Sequence, residues 1–355
     1  MHPTKAPGSD DMSAIFFQKY WGIVGNDVIC MVLNVLNSNM SMVGINKTNI
    51  TLVPTIKNPT KMTDFRLISL CNVVYKLIPK VLANRLKVIL PQIISENQRT
   101  FLFGRLITDN VLVAFELMHY LEHKKEGKEG FVAIKFDISK TYDRTEWDFI
   151  KQVMEKMGFH KKWIKLMMHC ITYVSYSILV NGVAYGSITP TRGLRQGGPI
   201  LPYIFLLCAY GFSSLINDAA RNHKISGVSI CRGCPKITHL FFADDSLLFC
   251  KANSQECQNL IDILRLYKAM SGQKINADKS SVFFSNNTPD DRRCEVLKEK
   301  MLSVGGREIL IKVIAQAIPT YTMSCFQIPK SLCDEIEGMM RKFWWGQKGQ
   351  ESKIA

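Results

Sequence analysis

Three aspartates stand where aspartate is costly. Asp137 follows the apolar run FVAIKF, and Asp244 and Asp245 sit side by side within HLFFADDSLLF. A carboxylate withdrawn from water without a partner is strongly disfavoured, so these acids must face something positive. If the two segments are neighbouring strands, their carboxylates converge at one sheet edge. Three such oxygen donors suit Mg2+, which keeps waters and substrate phosphates as its other ligands. Two ions held together activate an attacking oxygen and stabilise a leaving one in phosphoryl transfer. An isolated Asp-Asp is more often a solvated turn. The apolar flanks and the matching strand at Asp137 favour the metal site here.

The elements that must position these acids are read from periodicity. Two helices are expected over 14–38, and NITLVPTI reads as a strand. NVVYKLIPKVLANRLKVIL has helical spacing, with Pro79 inside it predicting a kink or a split. A further helix, ITDNVLVAFELMHYLEHKK, has Asp109 or Asn110 near its start and runs into the loop KKEGKEG. Beyond the loop, the strand FVAIKFDI precedes two helices and a hairpin around Asn181-Gly182. A helix opened by proline comes next, with Gly198 at its N-cap and Pro199 at its first position. A hairpin turning at Asp244 and Asp245, a helix ending at KAMSG and the strand SVFFS complete the pattern. This order predicts an α+β fold, with an antiparallel sheet of the split-βαβ kind backed by helices.

Composition narrows the class. The chain has 355 residues, 47% of them hydrophobic, enough for a sizeable core in two or three subdomains. A formal net charge of +15 favours an anionic partner, nucleic acid or an acidic membrane surface, about as strongly as it favours a merely well-solvated protein. Of eleven cysteines only Cys231 and Cys234 form a C-x-x-C, and no second pair at zinc-ligand spacing comes after it. They read as reduced cysteines of an intracellular protein, in the nucleus or the cytoplasm. No apolar signal core is present at the N-terminus. Residues 197–217 carry no charge, but their prolines and glycines indicate a helix buried in protein and no membrane span.

Several stretches together resemble the reverse transcriptases of plant LINE-type non-LTR retrotransposons. FADD between apolar strands resembles the catalytic motif of these enzymes, and KFDISKTYDRTEWDFI resembles their first catalytic motif. RGLRQGGPILPYIFLLCAYGFSSLI is similar to the segment that contacts nucleotide and template. SGQKINADKSSVFFS is similar to the lysine-bearing motif after it. KAPGSDDMSAIFFQKYW, FRLISLCNVVYKLI and SENQRTFLFGRLITDN resemble the fingers, and GGREILIKVIAQAIPTYTMSCFQIP with FWWG resembles the region beyond the polymerase core.

The resemblance implies a right-hand polymerase core. Helical fingers would occupy 1–128, a split-βαβ antiparallel palm with the catalytic acids 129–288, and a shortened helical thumb remnant 289–355. It implies RNA-directed DNA polymerase activity by two-metal nucleotidyl transfer, with two Mg2+ (or Mn2+) ions held by Asp137, Asp244 and Asp245. The partners would be an RNA template, a DNA primer and deoxynucleoside triphosphates. Tyr142 would lie beneath the incoming sugar and collide with a 2′-hydroxyl. Gln196 and Gly197 would contact nucleotide and template, Arg66 would grip the triphosphate, and Lys279 would protonate the departing pyrophosphate.

The chain also departs from the resembled pattern. Gly198 replaces a common aspartate, Leu201 a serine, Thr141 an alanine, Leu67 and Phe103 prolines, and Pro79 a serine, while Ser9 and Asp11 interrupt a usual PGPDG. After NNTPDDRRCEVL the chain passes straight to KEKMLSVGGREILIK, where the family has several dozen residues near the primer. The resemblance leads to the expectation of a truncated copy, without the endonuclease region before residue 1 and the ribonuclease H-like or Cys/His-rich region after residue 355. These departures predict an isolated chain of weak or no activity. The rival expectations are a catalytically impaired nucleic-acid-binding remnant and an intron maturase-like splicing factor.

Overall fold

The computed structural model describes residues 1–38, 40–139, 141–242, 245–275 and 280–293. Asp244, Lys279 and the expected thumb remnant beyond 293 lie outside the described residues.

The chain opens with α1 (Ala14–Lys19) and α2 (Trp21–Ser38), then β1 (Lys47–Pro54) and β2 (Phe65–Cys71). Helices α3 (Val73–Ile93) and α4 (Ile107–His123) lead to β3 (Phe131–Ser139). A short α5 (Thr141–Arg144) precedes α6 (Trp147–Lys156), α7 (Lys161–Thr172) and the pair β4 (Ser175–Val180) and β5 (Val183–Ile188). Then come α8 (Leu201–Arg221), β6 (His239–Phe242), β7 (Asp245–Lys251), α9 (Ser254–Ser271), β8 (Lys274–Ile275) and β9 (Ser281–Phe284).

Two sheets result. The first has the order β2-β1-β4-β5, and the second the order β6-β7-β3-β8 with β9 also paired to β3. Every pairing in the second sheet is antiparallel. Its strand β3 shows why FVAIKF is apolar at every position but Lys135. Val132, Ile134 and Phe136 pack into a large core with α3, α6, α7, α8 and α9, while Ala133 packs with α4 on the other side. A strand covered on both faces has no polar face to alternate with.

The Asn181-Gly182 hairpin forms as expected, with both residues at positive φ (52° and 82°) as its turn type requires. Its location differs from the expectation. β4 pairs in parallel with β1, so the hairpin joins the first sheet and not the sheet of the acids. All of β5 is exposed, a pattern unsuited to the enclosed second sheet. The first 128 residues accordingly hold two strands besides their helices.

Three further expectations are corrected. Helix α3 runs unbroken through Pro79 and Pro91. Pro79 is buried against the core, and packing over 21 residues overrides the lost backbone bond. Helix α8 starts at Leu201 with Ile200 as its N-cap, so Gly198 is not the cap and Pro199 precedes the helix. Two consecutive turns, Gly198 N–H to Arg195 O (3.3 Å) and Leu201 N–H to Gly198 O (3.2 Å), take up those residues instead. Finally, Asp245 lies within β7, not in the turn. Helix α8 is long and apolar enough to cross a membrane, but more than half of that stretch is buried inside the protein.

Candidate active site

The antiparallel ladder between β3 and β7 runs from Phe131 opposite Lys251 to Asp137 opposite Asp245. Opposed positions in such a ladder share one face of the sheet. On its other side Asp245 is paired with Phe242 of β6, so β7 lies between β6 and β3. Asp137 lies where β3 passes from its pairing with β9 to its pairing with β8. The far edge of β6 is not left open, because Phe241 N–H donates to Asn97 O at 3.0 Å and Gln98 bridges to Phe241.

A buried histidine fixes the base of that strand. The ring of His239 bonds Ser213 Oγ of α8 at 2.8 Å, Thr238 Oγ1 at 2.9 Å and Asn97 Nδ2 at 3.2 Å. Burial pushes its imidazole down to about 3, so it is neutral at physiological pH.

The chain after Asp137 is a hub for the other motif segments. Tyr142 O accepts from Leu194 N–H at 2.6 Å, and Thr145 O accepts from Gly193 N–H at 2.9 Å. Trp147 Nε1 donates to Gly193 O at 2.7 Å. Gly193 has φ +87°, and a Cβ there would fall 2.7 Å from Asp143 O, so only glycine permits this approach. From the third motif, Ser271 O accepts from Glu146 N–H at 2.9 Å, and Gln273 Nε2 donates to Thr145 Oγ1 at 3.2 Å. Helix α9 ends at Gly272 (φ 73°), where a Cβ would meet Arg144 O at 2.6 Å.

The candidate residues divide between the two sheets. Asp137 and Asp245 oppose each other across one ladder. Tyr142, its ring 5.8 Å from that of Phe205, is tied through Leu194 to the segment bearing Gln196 and Gly197. Gly197 (φ +87°) is exposed, with nothing within 4 Å of where a Cβ would stand. Arg66 lies on β2, the edge strand of the other sheet, exposed and opposite Val53.

Arg195 was not singled out by its sequence context, and it fastens the segment before α8 to the first sheet and α3. One guanidinium nitrogen reaches Cys71 Sγ at 3.3 Å and another bonds Asn46 Oδ1. The guanidinium carbon stands 4.4 Å from the Tyr75 ring centroid and 6.0 Å from that of Tyr176. These partners belong to the start of β1, the end of β2, α3 and β4. Burial pushes the Tyr75 phenol well above its ordinary value, so the cation is held by neutral rings. The sequence signal was an arginine beside Gln196, but its fork could not be placed without the fold.

With this geometry in hand, the comparison with known families is decisive: residues 53–306 match the reverse transcriptase (RNA-dependent DNA polymerase) family. The chain belongs to that family. A Xenopus laevis protein, the transposon TX1 uncharacterized 149 kDa protein, is 24% identical over 79% of this chain and 21% of its own length. The retrovirus-related Pol polyprotein from the type-2 retrotransposable element R2DM of Drosophila melanogaster is 26% identical over 72% of this chain and 23% of its own length. The chain thus spans under a quarter of either relative. An uncharacterized mitochondrial protein of Arabidopsis thaliana is 34% identical over 31% of this chain and 90% of its own length. Among solved structures, telomerase from Candida tropicalis in complex with a TWJ fragment of telomeric RNA is similar, with a TM-score of 0.48 and 13% identity. That similarity covers 75% of this chain and 45% of the telomerase. In this reverse transcriptase fold Asp137 and Asp245 stand on the enclosed sheet, and three motif segments meet at 142–147.

Proposed function

We propose that this reverse transcriptase domain is an RNA-directed DNA polymerase that extends a DNA primer along an RNA template from deoxynucleoside triphosphates. The observation that carries the reading is the opposition of Asp137 and Asp245 within the residues matched to the family. Hard carboxylate oxygens at one sheet position are the donor set that Mg2+ or Mn2+ favours, and Asp137, Asp244 and Asp245 would hold two such ions. When bound, those ions would supply electrostatic stabilisation to both the attacking and the leaving oxygen.

The remaining chemistry belongs to side chains. Arg66 would grip the triphosphate through its planar fork. The Tyr142 ring, backed by Phe205, would exclude a sugar bearing a 2′-hydroxyl. Open space beside Gly197 would admit nucleotide and template against the backbone, with Gln196 beside it. Lys279 would protonate the leaving pyrophosphate. We assign fingers to 1–128, palm to 129–288 and a thumb remnant to 289–355, working inside the cell in nucleus or cytoplasm.

The test is primer extension by the full chain on an RNA template with Mg2+ or Mn2+, beside Asp244→Ala and Asp245→Asn. Short, non-processive products that vanish in both variants are expected. Positioning dominates phosphoryl transfer, and displacement of about 1 Å costs roughly a hundredfold, so the shortened primer-side region limits synthesis. Salt-sensitive binding of template and primer with no extension at all would overturn the polymerase reading in favour of a binding remnant.

A further inference from the structure

The loop between α8 and β6 holds a pair of cysteines that polymerase chemistry does not use. Its base is closed by Val228 and Ile237, which exchange both backbone hydrogen bonds, at 2.9 and 2.8 Å. Within it, Cys234 N–H donates to Cys231 O at 3.3 Å, closing a turn over Arg232 and Gly233. Gly233 has φ +86°, the conformation the third position of a type II turn demands. Ser229 Oγ lies 2.8 Å from Cys231 O and 3.0 Å from Cys234 O, bracing the turn from below.

This framing brings the two Sγ atoms to 2.7 Å, with both cysteines exposed. A bonded pair stands at about 2.05 Å, so bond formation needs under about 1 Å of further approach. The ordering of the loop is already met by its backbone bonds. The hydrogen bond to Cys234 holds the Cys231 thiol above its ordinary value, while Arg232, between the two cysteines in sequence, and Lys236 just beyond them are exposed cations that attract an anionic oxidant.

A second pair provides the contrast. Cys250 and Cys257 approach to only 4.0 Å and are buried in the core. Their mutual hydrogen bond and burial together push the Cys250 thiol well above its ordinary value. Proximity alone therefore does not make a reactive pair in this protein, and exposure separates the two.

We propose that Cys231 and Cys234 are a modification site that forms an internal disulfide with a low-molecular-weight disulfide, such as oxidised glutathione, as the oxidant. One cysteine thiolate attacks a glutathione sulfur, forming a mixed disulfide and releasing glutathione as thiolate, which takes a proton. The second cysteine thiolate then attacks the protein sulfur of that mixed disulfide. The Cys231–Cys234 bond forms and a second glutathione leaves. Two electrons pass from the dithiol to the glutathione disulfide, and two thiols of glutathione result. The proposal is independent of whether the chain polymerises DNA.

The experiment treats the folded full chain with oxidised glutathione, alkylates it, and maps the peptides by mass. The peptide spanning 231–234 should lose two hydrogens, and its alkylation should fall at least about tenfold until a reductant is added. Cys250 and Cys257 should remain reduced and become alkylatable only after denaturation. In Cys234→Ser, the same treatment should leave Cys231 carrying a persistent glutathione. Wild-type protein that keeps glutathione on either cysteine, links either to a third cysteine, or leaves both freely alkylated would overturn the proposal.

Discussion

In the sheet β2-β1-β4-β5, every residue of β5 is exposed, and Arg66, Leu67 and Ile68 of β2 face solvent. In the sheet of the acids, Leu248, Phe249 and Cys250 of β7 are completely buried, and helices cover both faces. The enclosed sheet is packed on both faces, whereas the open one reaches the core only near the start of β1 and the end of β2, at Thr48 and Cys71. The opposition of Asp137 and Asp245 is thus held by the most constrained strands described. Arg66 sits on an exposed edge strand of the other sheet.

The largest expected effect tests that difference directly. Phe249→Ala should cost about 3–5 kcal/mol, because deletion of a fully buried ring leaves a cavity between two covered faces. Tyr185→Ala on β5, 57% exposed, should stay within about 0.5 kcal/mol. Urea unfolding of both variants measures the contrast. Equal losses would mean the first sheet is as structurally committed as the second.

The same contrast explains what could be read from residues alone. β3 and β7 were legible because an apolar run interrupted by aspartate has few other readings. Helices α4, α6, α7 and α9 were legible from spacing, and α9 carries its own stop signal in Gly272. β2 was missed because FRLISLC, an edge strand with exposed Leu67 and Ile68, shows no alternation. Pro79 misled because its local penalty is real but smaller than the packing of the whole of α3. The hub at 142–147 was invisible for a different reason. Its bonds from Gly193, Leu194 and Ser271 are made by backbone groups, which no residue type announces. The reverse transcriptase resemblance identified the segments but not how they are fastened together.

Arg195 fastens the segment before α8 to the open sheet and α3, and its loss should be the next largest effect. Arg195→Met removes the bonds to Cys71 and Asn46 and the stacking on Tyr75, at a cost of about 2–3 kcal/mol. Arg195→Lys should recover less than half, since an ammonium cannot reach both partners as a planar fork does. Chemical unfolding gives the stabilities. Full recovery by lysine would show that only the charge matters, and that the planar fork does not fasten the segment before α8 to the open sheet.

A pH titration probes the enclosed sheet from within. His239 is held neutral, its folded value near 3 against about 6.5 when unfolded. A base depressed on folding contributes stability that is complete above the unfolded value and lost as pH falls. The loss should begin near pH 6.5 and reach about 2 kcal/mol at pH 5. His239→Asn, whatever its stability at neutral pH, should flatten that slope between pH 6.5 and 5. An unchanged slope would assign the acid sensitivity to other groups.

The smallest effect concerns the segment that leans on the open sheet. Residues 8–11 lie against the junction of β2 and α3, where Ser9 Oγ donates to Asn72 Oδ1 at 3.2 Å and to Lys47 O at 3.4 Å. Asp11 N–H donates back to Gly8 O at 3.3 Å, and this turn puts Asp11 at φ 54°. That is the left-handed region, which costs a side chain up to about 1–2 kcal/mol, less for aspartate than for most. The resembled PGPDG pattern has glycine at this position, a residue that takes this φ without strain. Asp11→Gly relieves the aspartate's strain, offset by the greater freedom of glycine in the unfolded chain, and a net gain of about 0.5 kcal/mol is expected. Thermal unfolding at matched ionic strength reads the change. A loss on substitution would show that the Asp11 carboxylate has a stabilising partner, and that the turn, not the sheet, holds this segment in place.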